Sequence, residues 1–108
     1  LGVLLNSQKA FEYYKVAADN GYVRGMLFVA ECYLNSIYVE KNVPEALAWL
    51  EKAAQSGSTI AMYHLGAIYA EGDEGVEANV KTAKSWFEKA AGLGYAPAEV
   101  ALERLSKK

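Results

Sequence analysis

The side chains in this chain best suited to chemistry are one histidine, one cysteine and a cluster of carboxylates. His64 and Cys32 are each the sole residue of their type. Together they can in principle form a thiolate–imidazole pair of the kind that attacks carbonyl carbon. A single histidine and a single cysteine cannot supply the nitrogen and sulfur ligands of a zinc site, and one cysteine cannot form an internal disulfide. Glu71, Asp73, Glu74 and Glu77 place four carboxylates around one turn, an oxygen-rich arrangement of the type Ca²⁺ takes. Their spacing is not that of an EF-hand loop, and a solvated acidic turn is the favoured reading. There is no Gly-rich phosphate loop ending in Lys-Ser/Thr and no Gly-x-Ser-x-Gly elbow. Trp49, Trp86, Tyr14 and Phe87 offer faces on which a sugar ring can stack, or, alternatively, large surfaces for a helical core.

The elements that carry these residues decide between such readings. Ala83, Trp86, Phe87, Ala90 and Ala91 recur at i, i+3, i+4, i+7 and i+8, one face of an α-helix. Ala46-Leu47-Ala48-Trp49-Leu50-Glu51-Lys52-Ala53-Ala54 repeats that segment 37 residues upstream. Ala10-Phe11-Glu12-Tyr13-Tyr14-Lys15-Val16-Ala17-Ala18 repeats it again, 36 residues earlier. Self-similarity at such a period is the mark of a stacked helical array. The aromatic residues fall in matched columns of it, which assigns them to packing. Cys32 aligns with Ile68, also in a core column, so its thiol is expected to be a packing group.

Three further columns set the boundaries. Asn6, Asn42 and Asn79 each precede a helical pattern, where an Asn side chain can cap free N–H groups. Asn42-Val43-Pro44-Glu45 adds a proline in the first turn and a glutamate placed to reach back to the cap. Gly21, Gly57 and Gly94 supply the left-handed residue that ends a helix. These signals predict helices near residues 7–20, 43–56 and 80–93, the B helices. Shorter A helices lie between them. One begins at Gly25, one at Ala61, and a third opens at Ala98 and runs through Leu102 and Leu105 to the polar Ser106-Lys107-Lys108. Gly66 interrupts the second at a cost of about 1 kcal/mol relative to alanine, which predicts a close backbone approach there. The A-to-B loop holds Gly72 and Gly75 in one copy. Its counterpart, Asn35-Ser36-Ile37-Tyr38-Val39, lacks both glycines and is one residue shorter, as befits an exposed connection.

Composition narrows the functional class. At 108 residues and a formal net charge of -2, the chain has no basic footprint for nucleic acid. Lysines and glutamates alternate along the helices rather than forming blocks. No apolar run reaches the roughly 20 residues that cross a bilayer. Leu1-Gly2-Val3-Leu4-Leu5 has no basic flank and no small-residue cleavage site, so it does not read as a signal peptide. Its place in mid-repeat leads us to expect a longer array, and the compartment is not legible.

With these columns fixed, the chain resembles the Sel-one-like repeat (SLR) family, a relative of the tetratricopeptide repeats. That family's pattern runs A-x3-LG-x2-Y-x2-G-x-GV-x2-(D/N)-x2-KA-x2-W(F/Y)-x-KAA-x2-G. One copy matches it at Ala61, Leu65, Gly66, Tyr69, Gly72, Gly75, Val76, Asn79, Ala83, Trp86, Phe87, Lys89, Ala90, Ala91 and Gly94. It departs at Thr82, where lysine is usual, and carries one extra residue between Gly72 and Gly75. The preceding copy keeps Tyr33, Val39, Asn42, Ala46, Trp49, Lys52, Ala53, Ala54 and Gly57. The expected division is a half-repeat at 1–24, repeats at 25–60 and 61–97, and a further first helix or cap at 98–108. The resemblance implies an all-α fold, an α/α solenoid of antiparallel helix pairs in a right-handed superhelix with A helices on the concave side. It implies a protein–protein interaction scaffold rather than an enzyme, with no cofactor and no metal.

By analogy with the tetratricopeptide relatives, the concave-facing residues are Arg24, Leu27, Glu31, Leu34 and Asn35, then Tyr63, Ala67 and Glu71, then Val100 and Arg104. Their mix of aliphatic, aromatic and charged groups suits a peptide or partner helix. The competing view leaves this groove empty, with the contact on repeats outside the 108 residues. Two other functions belong to relatives: glycan or cell-wall binding, and β-lactam hydrolysis in a cysteine-rich branch. That branch staples each repeat with a cysteine pair, which Cys32 alone cannot form. Phe11, Tyr14, Leu102 and Leu105 have incomplete neighbours, so self-association through open solenoid ends is a further expectation.

Overall fold

The computed structural model describes residues 2–107, with side chains from residue 6 onward. Leu1 and Lys108, with the side chains of the apolar start, lie outside the described residues. Six helices follow one another: α1 (Gly2–Asp19), α2 (Val23–Asn35), α3 (Val43–Gln55), α4 (Thr59–Glu71), α5 (Val80–Gly92) and α6 (Ala96–Ser106). No strand occurs among the described residues, only an isolated bridge between Asp73 and Val76. Each helix packs chiefly on its neighbours in the chain, as a stack of pairs must when no pair can bury its apolar face alone. The extents are 46 × 26 × 20 Å and the radius of gyration 14.5 Å, against about 13 Å for a compact domain of this length. The fold is an α/α solenoid. α1, α3 and α5 are the B helices, and α2, α4 and α6 the A helices.

The start of each B helix is built the same way in α3 and α5. Asn42 and Asn79 are extended, with φ of -151° and -150°, and their Oδ1 atoms accept from Glu45 N and Thr82 N at 3.1 Å. Their own N–H groups donate to the carbonyls of Tyr33 (2.9 Å) and Tyr69 (2.7 Å), near the ends of the preceding A helices. The expected reach-back from Glu45 is therefore replaced by a tertiary bond to Tyr33. Asn6 behaves differently. It lies inside α1 rather than capping it, because the helix runs unbroken from Gly2 to Asp19 and the N–H groups after Asn6 are already bonded within it.

The A helices begin two residues earlier than the apolar pattern indicates. Ser58 accounts for one of them: its Oγ accepts from Ala61 N at 3.1 Å, so α4 starts at Thr59. In α6 Pro97 occupies the first turn, where a missing N–H is harmless. Gly21, Gly57 and Gly94 all take positive φ at the ends of the B helices. The two A-to-B loops both use positive φ at matched places, although Ser36 (ψ 44°) and Gly72 (ψ 169°) differ in the rest of their backbone. Ser36 (φ 55°) and Tyr38 (φ 68°) take positive φ at the places where the second loop has Gly72 (78°) and Gly75 (76°). Tyr38 is held there by its ring, 5.6 Å from that of Phe11 on α1. Lys41 Nζ meets Asp73 Oδ1 at 3.2 Å and ties the two loops together.

The core runs along the stack between A and B helices. Val29, Ala30, Cys32, Ala46, Leu50, Ala53, Ala61, Leu65, Ala83 and Ala90 are all almost wholly enclosed. Of the aromatic columns, Trp49 and Phe87 are buried, whereas Tyr14 and Trp86 are partly so. Gly66 is tight for a reason other than backbone approach. A Cβ there would lie 2.6 Å from the ring of Phe87. In the preceding pair the same columns hold Ala30 and Leu50, a larger residue on the A helix facing a smaller one on the B helix. Gly66→Ala should therefore destabilise the fold by about 1–3 kcal/mol through overpacking, although alanine is the better helix former. Adding Phe87→Leu should recover much of that loss by restoring the Ala–Leu pairing. Urea titration of the two single variants and the double variant would measure the coupling.

Candidate partner-binding grooves

Two grooves run between successive A helices. The first, about 330 Å³, lies between α2 and α4 and is lined by Leu27, Glu31, Leu34, Asn35, Ile60 and His64, with Leu50 among the residues beneath. The second, about 450 Å³, lies between α4 and α6 and is lined by Tyr63, Ala67, Glu71, Pro97, Val100 and Arg104, with Phe87 in the place of Leu50. One repeat carries one groove onto the next: Leu34 answers Ala70, Asn35 answers Glu71, and Ile60 answers Pro97. A third hollow, around Arg24, Leu27, Ser58 and Ile60, adjoins the first at the amino-terminal ends of α2 and α4. Each of the ten residues expected on the concave face lines one of these three.

Sequence reasoning missed Ile60, His64, Pro97 and Leu105. Ile60 and Pro97 were lost with the first turns of α4 and α6, and the Ser58 cap was the signal that would have restored Ile60. His64 stands one position after Tyr63 and faces α2 across the first groove. Tyr63 is the best-held group in the second groove, with ring centroids of Phe87 at 5.6 Å, Tyr95 at 5.7 Å and His64 at 5.9 Å. A half-buried ring fixed on several sides loses little freedom when a partner covers it.

The electrostatics do not prepare Cys32 as a nucleophile. Burial pushes the Cys32 thiol above its ordinary value of 9.0, and the charge of Glu31 adds to the shift. A reactive cysteine needs the reverse. Desolvation lowers the pKa of His64 from 6.5, opposed by Glu31, which raises it. The residue still exposes part of its surface, so water keeps this penalty below that of a fully enclosed imidazole. The carboxylate of Asp73 is held below 3.8, first by the N–H of Glu74 at 2.8 Å and then by Lys41. No group of three or more His, Cys, Asp or Glu side chains is placed to hold a metal ion among the described residues. Of the four carboxylates in that turn, Asp73 is the one engaged with Lys41 and with the backbone.

The Sel1 repeat matches at residues 1–22, 23–58 and 59–95. The chain belongs to the Sel1 repeat family. Each matched unit after the first opens at the first residue of an A helix. Among solved structures, the chain is similar to a Sel1 repeat protein from Oxalobacter formigenes, at 36% identity and a TM-score of 0.75, over 86% of this chain and 69% of that one. It also shares its fold with c5321, a protective antigen of uropathogenic Escherichia coli strains displaying an SLR fold. The identity there is 24% and the TM-score 0.83, over 98% of this chain and 22% of that one. None of the curated proteins matches the chain.

His64 gives the grooves a pH signature. Its lowered folded pKa means the unfolded chain takes up the proton first. Stability attributable to this group is therefore complete above pH 6.5 and falls as pH drops from 6.5 through the folded value. His64→Gln should flatten the decline in urea midpoint between pH 7.5 and pH 5.5. An unchanged slope would mean that another group titrates there.

Proposed function

We propose that this Sel1 repeat chain is a protein-interaction scaffold that takes a peptide or a segment of a partner protein across the A-helix face. The Sel1 repeat supports an interaction role in general terms. The observation behind this particular face is the division of labour between columns. Residues common to the copies, such as Ala53 and Ala90, are interior, while residues that differ, such as Leu27, Tyr63 and Val100, line the grooves. A scaffold that reuses one fold for different partners varies its surface and keeps its core.

Tyr63 is the anchor in this reading, since fixed aromatic residues in pockets carry a large share of binding energy. A photoreactive residue at position 67 should cross-link a bound partner, whereas one at Ala48, exposed on α3, should not. Tyr63→Ala should weaken capture of that partner at least tenfold, about 1.4 kcal/mol, with the helical circular dichroism unchanged. Equal cross-linking at both positions would place the contact elsewhere. Glycan binding is the alternative for a face that presents Tyr63. Pelleting with peptidoglycan that is sensitive to Tyr63→Ala would favour it over a peptide.

A further inference from the structure

We propose that the partner is a segment with a basic end and an acidic end, and that charge order fixes the direction in which it crosses the A helices. This rests on the groove reading above and adds the chemistry of the occupant. Leu27, Tyr63 and Val100 occupy one column of the repeat and form an apolar row across α2, α4 and α6. One turn further along the same helices, Glu31, Ala67 and Arg104 form a second row. That row reads negative, neutral, positive. Its two charged members line different grooves, Glu31 the first and Arg104 the second.

Neither charge has an ion-pair partner among the described residues. The ion pairs among the described residues are Lys15–Asp19 and Lys41–Asp73, and neither involves this face. Glu31 is exposed, and its field reaches both His64 and Cys32. The other charges near the grooves lie off the row. Arg24 sits in the first turn of α2 and Glu71 is the last residue of α4. An extended segment laid along the apolar row would put its apolar side chains against Leu27, Tyr63 and Val100. Its basic end would lie beside Glu31 and its acidic end beside Arg104. The opposite orientation would set like charges together at both ends, which is how interfaces reject a wrong register.

A random dodecapeptide display library panned on the chain tests this. Enriched peptides should share an apolar centre and one order of basic and acidic ends along the sequence. The double variant Glu31→Arg/Arg104→Glu should enrich the inverted order, and should bind the original peptides about tenfold more weakly. Glu31→Gln, nearly isosteric, should lose only the preference for the basic end, which serves if the double variant folds poorly. Peptides that are blocked by Ala67→Trp but show no charge order, or keep the same order on the double variant, would overturn the polarity and leave the groove reading standing. No enrichment, or enrichment indifferent to Ala67→Trp, would overturn both.

Discussion

The separation between an A helix and the B helix that follows it governs the rest of this structure. It is set where a small residue on the A helix meets a bulky one on the B helix, Gly66 beneath Phe87 in the second full pair. Close-packed interiors do not tolerate an added methyl group without displacement. A change in this spacing would move every later helix, since each unit is positioned only by its neighbours. The hydrogen bonds from Asn42 and Asn79 to the tyrosine carbonyls act at the same joint. They lock the entry of each B helix to the exit of its A helix, so distance and direction are fixed together.

The grooves are a by-product of that stacking. A helices turned toward their B partners leave their outer rows facing one another across α2, α4 and α6. The fold needs little from those rows beyond compatibility with a helix, so they are free to carry tyrosine, leucine or charge. The B-helix side is organised otherwise. Lys15 and Lys52 lie over the ring of Trp49 at 5.5 and 4.8 Å, and Lys89 lies over Trp86 at 4.9 Å. Lys52–Trp49 and Lys89–Trp86 repeat one pairing within α3 and α5 respectively, while Lys15, outside that column, reaches from α1 to Trp49 and makes the one cation–π contact here between successive B helices.

Most of the architecture was legible because repetition supplied internal controls. Three glycines at helix ends and two of the three asparagine caps behave as their chemistry requires. Asn6 did not, since α1 runs through it and leaves no orphan N–H groups there to cap. Gly66 was correctly read as a tight site, but the neighbour is a side chain from a residue 21 positions on, and only packing shows that. Ser36 and Tyr38 at positive φ were invisible, because neither residue type advertises it. At the grooves, repeat periodicity located the columns, while the depth of each hollow and the entry of Ile60 and Pro97 into its wall depended on where the helices begin.

Trp49 has a consequence of a different kind. Its indole N–H is buried with no hydrogen-bond acceptor among the described residues, and its ring is touched by lysines from two successive B helices. Trp86 is less enclosed and has a lysine only from its own helix. The two tryptophans are thus unequal optical probes within one small solenoid. Emission from Trp49 would register the parting of α1 from α3, and that from Trp86 the wetting of α5, so the chain carries its own spectroscopic readout of which end loosens first.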